Sequence, residues 1–168
     1  MNDRVHRLLN DQINMELYSA YLYLAISNHF THEGLDGFAN WYRVQAQEER
    51  DHAMRFMEYL GDNGLPVELK AVDKPSWSGN GFTDPLVASL EHERKVTAAI
   101  DGIYKAAKES DDYRTMVFLA WFIDEQCEEE KNASDMLTKM KLYGMESKAL
   151  YLLNDELKGR TYKAPHFS

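Results

Sequence analysis

Apolar residues recur in alternating steps of three and four along four long stretches of the chain, and proline and glycine gather between them. The first stripe runs Leu9, Gln12, Glu16, Ser19, Tyr23, Ile26, Phe30, and the second Phe38, Tyr42, Gln45, Glu49, His52, Phe56, Leu60. The third is Leu86, Leu90, Glu93, Val96, Ile100, Ile103, and the fourth Leu119, Phe122, Gln126, Glu129, Ala133, Met136, Met140. That rhythm puts each set on one face of an α-helix. The pattern predicts helices over residues 3–31, 36–61, 85–108 and 112–142, with a shorter fifth helix over 146–157. Asp36 and Asp84 are candidate N-caps, and Pro85 stands at a first helical position.

Short turns around His32-Glu33-Gly34 and Ser110-Asp111 make the first and second helices, and the third and fourth, antiparallel neighbours. Residues 65–83 lie between the hairpins and hold Pro66, Pro75, Gly79 and Gly81. Those 19 residues could span ~60 Å when extended, against ~40 Å for the helices. The architecture expected is an all-α four-helix bundle with one long crossover and a short fifth C-terminal helix, forming a single domain over residues 1–168.

Each stripe is apolar above and below and polar at one level. Glu16 and Glu49 are 33 residues apart, as are Glu93 and Gln126. Both pairs straddle their turn in the same way, so all four positions fall near mid-bundle and the hairpins are related by a pseudo-twofold axis. Three residues beyond each pair stands a further potential ligand, His52 and Glu129. From Gln12 to His32 the only formally charged residue is Glu16. Several buried carboxylates at one height need compensating charge, and no Lys or Arg lies on the stripes to supply it. A pair of divalent metal ions would. Carboxylate and imidazole without thiolate suit iron or manganese, with zinc possible. Glu49 and His52 share a face and can share an ion, while Glu16 and Glu93 would each terminate one.

Composition narrows the setting. The net charge of −9 weighs against nucleic acid and anionic membranes as partners and draws cations. A single cysteine, Cys127, forms no internal disulfide, and the first residues lack the apolar core of a signal peptide. Both point to a cytoplasmic protein without a membrane span.

At these residues the chain resembles the ferritins, most closely the bacterial non-haem ferritins. The resemblance runs through Asn14-Met-Glu-Leu-Tyr-Ser-Ala-Tyr-Leu-Tyr, Ala46-Gln-Glu-Glu-Arg-Asp-His-Ala, the Glu93 helix and Glu125-Gln-Cys-Glu-Glu-Glu-Lys. It implies an iron-storage ferroxidase that oxidises Fe2+ with dioxygen or hydrogen peroxide, inside a homo-oligomeric shell of 24 subunits. By the same resemblance, Glu16, Glu49 and His52 would hold one iron of a di-iron centre. Glu49, Glu93 and Glu129 would hold the other, with Gln126 close by and Tyr23 beside the centre. Glu48, Glu125 and Glu128, with Glu129, match the family's third iron site; a solvated helix face is the alternative.

Departures from related families narrow this further. Bacterioferritins and rubrerythrins carry Glu-x-x-His in both halves, whereas the second copy here is Gln126-x-x-Glu129. Arg50 stands where a bacterioferritin presents its haem-ligating Met, so no haem is expected. The rival reading is a non-storage di-iron carboxylate oxidoreductase of the same superfamily.

The remaining candidates are structural. Ile13, Leu17, Tyr21 and Leu24 lie off the inward stripe and are expected to meet an oligomer partner, as are Leu150, Leu153 and Leu157 on the fifth helix. Glu109, Asp111 and Asp112 are more plausibly solvated than lining an iron path. His6, His29, His32, His92 and His166 read as surface or satisfied side chains, Cys127 as a thiol without a role, and the Met136–Met145 stretch, Trp121 and the tyrosines other than Tyr23 as packing.

Overall fold

The computed structural model describes residues 1–166. Five helices account for the order of the chain: α1 (Asp3–His32), α2 (Asp36–Asp62), α3 (Thr83–Glu109), α4 (Tyr113–Tyr143) and α5 (Ser147–Leu157). Their ends fall within two residues of those expected from periodicity.

The turns close the helices in one way. Gly34 has φ 76°, and the Leu35 amide donates to the Phe30 carbonyl at 2.9 Å. This left-handed closure collects a carbonyl that α1 leaves unpaired. Asp111 does the same at the equivalent place in the second hairpin, with φ 52° and Asp112 N donating to Ala107 O at 2.9 Å. The two turn centres read from sequence are therefore conformational equivalents.

The crossover traverses the full length of α1. His6 Nε2 meets Pro66 O at 2.8 Å, Glu68 N donates to Asn10 Oδ1 at 2.7 Å, and the His29 ring packs on Trp77 with centroids 5.7 Å apart. Residues 66, 68 and 77 thus climb from the first turn of α1 to its last, which starts α3 at the far end and makes it antiparallel to α1.

Two caps differ from expectation. Asp36 caps nothing: the N-cap of α2 is Leu35, which offers no side-chain acceptor. Asn154 of α5 supplies one instead, its Oδ1 accepting from Gly37 N at 2.8 Å and Phe38 N at 3.3 Å. Asp84 lies inside α3, which begins at Thr83, and accepts from Gly81 N at 2.9 Å. Pro85 is accordingly the third residue of α3, where its missing N–H is still no loss. Asn2, Asp112 and Glu146 do cap their helices, accepting from Val5 N, Thr115 N and Ala149 N.

Every stripe residue is buried except Ala133, which is half-buried. The apolar core falls into two clusters. One gathers Tyr23, Ile26, Phe30, Phe38, Leu86 and Met136 with Leu153 and Leu157 of α5, and the other Leu9, Ile13, Phe56, Leu60, Ile100 and Phe122. Between them lies one polar stratum. Ile13 therefore faces its own core rather than a partner, and so do Leu153 and Leu157, because the α2–α5 contact turns those leucines inward. Tyr21 and Leu24 remain half exposed, and α5 turns Tyr151 and Leu152 outward. The tyrosines are not all packing residues: Tyr113 and Tyr151 are exposed, as is Met145 at the end of the methionine-rich stretch.

Candidate metal centre

Four helices meet at the polar stratum, and each contributes from a position that its apolar neighbours lock. Glu16 of α1, Glu49 and His52 of α2, Glu93 of α3, and Gln126 and Glu129 of α4 are each no more than 6% exposed. One ligand atom apiece from Glu16, Glu49 and His52 falls within 4.8 Å of the others, and the same holds for Glu49, Glu93 and Glu129. Glu49 belongs to both sets. A carboxylate shared between two buried triads could serve two ions at once.

Two atoms of these side chains, Glu16 Oε2 and His52 Nε2, are buried and make no hydrogen bond. Such orphans are costly and call for an occupant. Carboxylate oxygens and an imidazole nitrogen gathered this closely are a donor set that fits a divalent cation. The remaining oxygens are held in place. Gln12 Nε2 donates to Glu16 Oε1 at 2.8 Å, and Gln45 Nε2 donates to Glu49 Oε1 at 3.0 Å and Glu129 Oε2 at 2.7 Å. Tyr23 donates its hydroxyl to Glu93 Oε1, and Gln126 Nε2 reaches Glu93 Oε2 at 3.2 Å. His52 Nδ1 sits 3.3 Å from Glu49 Oε2.

The electrostatics follow from crowding acids in a dry interior. Burial, followed by repulsion from Glu49, pushes the carboxyls of Glu16 and Glu93 up to about 8. Glu129 is raised well above the usual range by the same causes, with Glu93 adding to them. Burial would also raise Glu49, but the hydrogen bond and charge of His52 outweigh it and hold Glu49 low. His52 answers in kind: burial opposes its charge, yet its hydrogen bond to Glu49 and the field of Glu49 and Glu16 lift it to about 10. Near neutral pH the site therefore favours a Glu49–His52 ion pair, with Glu16 and Glu93 on the protonated side of their titration. Beside the second triad, a void of about 10 Å³ bounded by Tyr23, Tyr42, Gln45, Glu93 and Glu129 is at the threshold for holding a single water.

The third acidic group stands apart. Among the described residues only the two triads above converge. Glu48 is half-buried and bonds Arg160, while Glu125 is half-buried and Glu128 exposed. Glu130 accepts from Thr97 Oγ1 at 2.6 Å and lies near Arg94. His92 is satisfied by Ser19 Oγ at 2.7 Å, and burial lowers it to about 4. Glu109 pairs with Arg4 at 2.7 Å, Cys127 is exposed, and Arg50 turns outward to Asp51 at 2.9 Å. No spacing in the sequence marks Gln45 as a donor to both Glu49 and Glu129. Arg160 follows the last periodic segment and carries no spacing signal either.

Comparison with known proteins agrees with the geometry. A family model described as a ferritin-like domain matches residues 7–143. A bacterial non-heme ferritin of Staphylococcus aureus is 36% identical over 154 residues, covering 92% of this chain and 93% of that protein. A probable bacterial non-heme ferritin-like protein of Haemophilus influenzae is 33% identical over 164 residues, with 98% and 99% covered. Among solved structures, an Archaeoglobus fulgidus ferritin engineered into a closed form superposes with a TM-score of 0.93 at 39% identity, covering 97% of this chain and 99% of that one. The open-pore ferritin of the same archaeon gives 0.93 at 39%, with 96% and 99% covered.

Proposed function

The chain belongs to the ferritin family, and from that premise we propose that it is an iron-storage ferroxidase. It takes up Fe2+, oxidises it to Fe3+ at the centre between its four helices with dioxygen or hydrogen peroxide as electron acceptor, and passes the product to a mineral inside a homo-oligomeric shell of 24 copies. The observation that carries this reading is the pair of buried triads joined through Glu49.

In this reading Glu16, Glu49 and His52 hold one ion. Glu49, Glu93 and Glu129 hold the other, with Gln126 beside it. Four carboxylates match the charge of two Fe2+ ions. Oxidation leaves two positive charges in excess, which a buried site with a neutral amide at Gln126 does not balance, and this favours release of the product. Loading requires protons to leave: His52 must become neutral to offer a ring nitrogen as ligand, and the raised carboxyls must ionise. Tyr23 keeps Glu93 turned toward the centre through its hydroxyl. Glu48, Glu125 and Glu128, with Glu129, form a weaker third iron position once their side chains turn together. Assembly is supported by apolar surface that the single chain leaves bare, at Tyr21, Leu24, Val117, Tyr151 and Leu152. A cytoplasmic setting fits the lone free thiol, and among the described residues no helix is long and apolar enough to cross a membrane. The whole of residues 1–168 serves as one domain.

Replacing Glu49 or His52 with Ala removes a ligand that no neighbour replaces. Stopped-flow oxidation of two Fe2+ per chain should lose its rapid phase in both variants, and wild-type kinetics in either would refute the assignment.

A further inference from the structure

Arg160 lies three residues past the end of α5, on a segment that lies against α2. Its guanidinium reaches three acceptors on that helix. Nη1 donates to Gln45 Oε1 at 2.9 Å and to the Trp41 carbonyl at 3.3 Å, and Nη2 donates to Glu48 Oε2. The group is stacked 4.0 Å above the Trp41 ring. Asn40 Nδ2 holds the same segment by the Arg160 carbonyl at 2.9 Å.

The chemistry of the two side chains gives this contact a consequence inside the centre. A guanidinium has five donors and no acceptor, so Gln45 can only present its oxygen to Arg160. An amide whose oxygen is fixed on one side has its NH2 fixed on the other. That NH2 points at Glu49 and Glu129 together, at 3.0 and 2.7 Å. Were the amide reversed, its oxygen would face the ionised Glu49, and Glu129 as well once that acid ionises to hold an ion, and its NH2 would face a cation. We propose that Arg160 is a positioning residue for the metal centre: it orients Gln45 so that one amide grips both the shared ligand Glu49 and the ligand Glu129. The inference rests on the two-ion reading of the centre and deepens it, since it ties the chain beyond α5 to the geometry of the bridge. Glu48 makes the hold two-pronged, so that rotation of the guanidinium breaks two charge-assisted contacts at once.

The test is a double-mutant cycle on metal affinity, read by Co2+ titration of the assembled full-length protein without iron, following the visible absorption bands. Wild type should bind two Co2+ per chain in the buried set. Gln45→Leu should weaken that binding by about tenfold, the scale of a lost hydrogen bond to a charged group. Arg160→Met keeps the aliphatic stem over Trp41 but removes the donors, and it should lose about the same. The double variant should be no weaker than Gln45→Leu alone, because Arg160 acts through that amide. Arg160→Met with wild-type affinity, or a further tenfold loss added on the Gln45→Leu background, overturns the proposal while leaving the two-ion reading intact. A wild type that binds no Co2+ among these residues removes both.

Discussion

Neutral carboxyls beside a charged imidazole make the centre sensitive to pH in a direction that can be worked out. Glu16 and Glu93 titrate near 8 in the folded chain against 4.5 for the free group, and His52 near 10 against 6.5. A group whose pKa is raised by folding contributes stability that is complete below its unfolded value and fades as pH climbs through the folded one. Glu49 runs the other way, since its pKa is lowered, and its contribution fades only as pH falls below the ordinary carboxylate range. From pH 5 to 8 the raised groups dominate, so the thermal midpoint of metal-free protein should fall across that window; a flat or rising midpoint would contradict the assignment. Metal uptake at pH 7 should release protons for the same reason. Calorimetric titrations in two buffers of different ionisation heat would measure them, and identical apparent heats would count against ligation by these groups. Tyr23→Phe leaves Glu93 Oε1 without its donor and should cost about 1–2 kcal/mol of folding stability, read as a lower unfolding midpoint with helicity unchanged. At this scale the convergence of the buried acids and His52 was legible from sequence because the 33-residue repeat and the turn positions fix height in a hairpin. The supporting donors were less so: Gln12 and Gln45 show as polar stripe members, but nothing in spacing says which oxygen an amide will hold.

Helix α5 is the element whose role the sequence concealed. Its leucines suggested contact with another subunit, yet Leu153 and Leu157 complete the chain's own core, and Asn154 caps α2 from 117 residues away. The cap could not be read from spacing, because a local Asp at position 36 looks like a better candidate than a distant Asn. Asn154→Ala should cost about 1 kcal/mol, the ordinary value of an N-cap, in chemical denaturation of the assembled protein. Gly37→Ala should be far worse. A Cβ there would stand 1.7 Å from the Asn154 carbonyl oxygen, so α5 must lift off α2 and take Arg160 with it. Accelerated hydrogen exchange across residues 147–160 in that variant is the expected result, and unchanged protection would show that the close approach is not needed. The four long helices, by contrast, were legible almost to their ends. Their stripes are strict, and their breaks coincide with glycine, proline or the left-handed Asp111.

Seen whole, the molecule is two apolar clusters separated by one polar, acid-rich layer, a division that four uninterrupted hydrophobic stripes would not produce. The layer costs folding energy in the empty chain and becomes favourable when cations fill it, which links uptake to stability. Apolar faces left bare at Tyr21, Leu24, Val117, Tyr151 and Leu152 accord with an assembly. A shell of 24 chains of 19.5 kDa should elute near roughly 470 kDa, whereas a small oligomer would favour the non-storage di-iron oxidoreductase. Subunit number lay beyond sequence periodicity, because stripes report the fold of one chain and only bare surface reports its neighbours. The claim beneath all of this is that two cations belong between Glu16, Glu49, His52, Glu93 and Glu129. Anomalous diffraction at the iron edge from crystals soaked anaerobically in ferrous salt tests it directly. Two peaks per chain, with Glu49 between them and His52 on the Glu16 side, are predicted. No iron among those side chains, or iron held only at surface acids, would contradict the account.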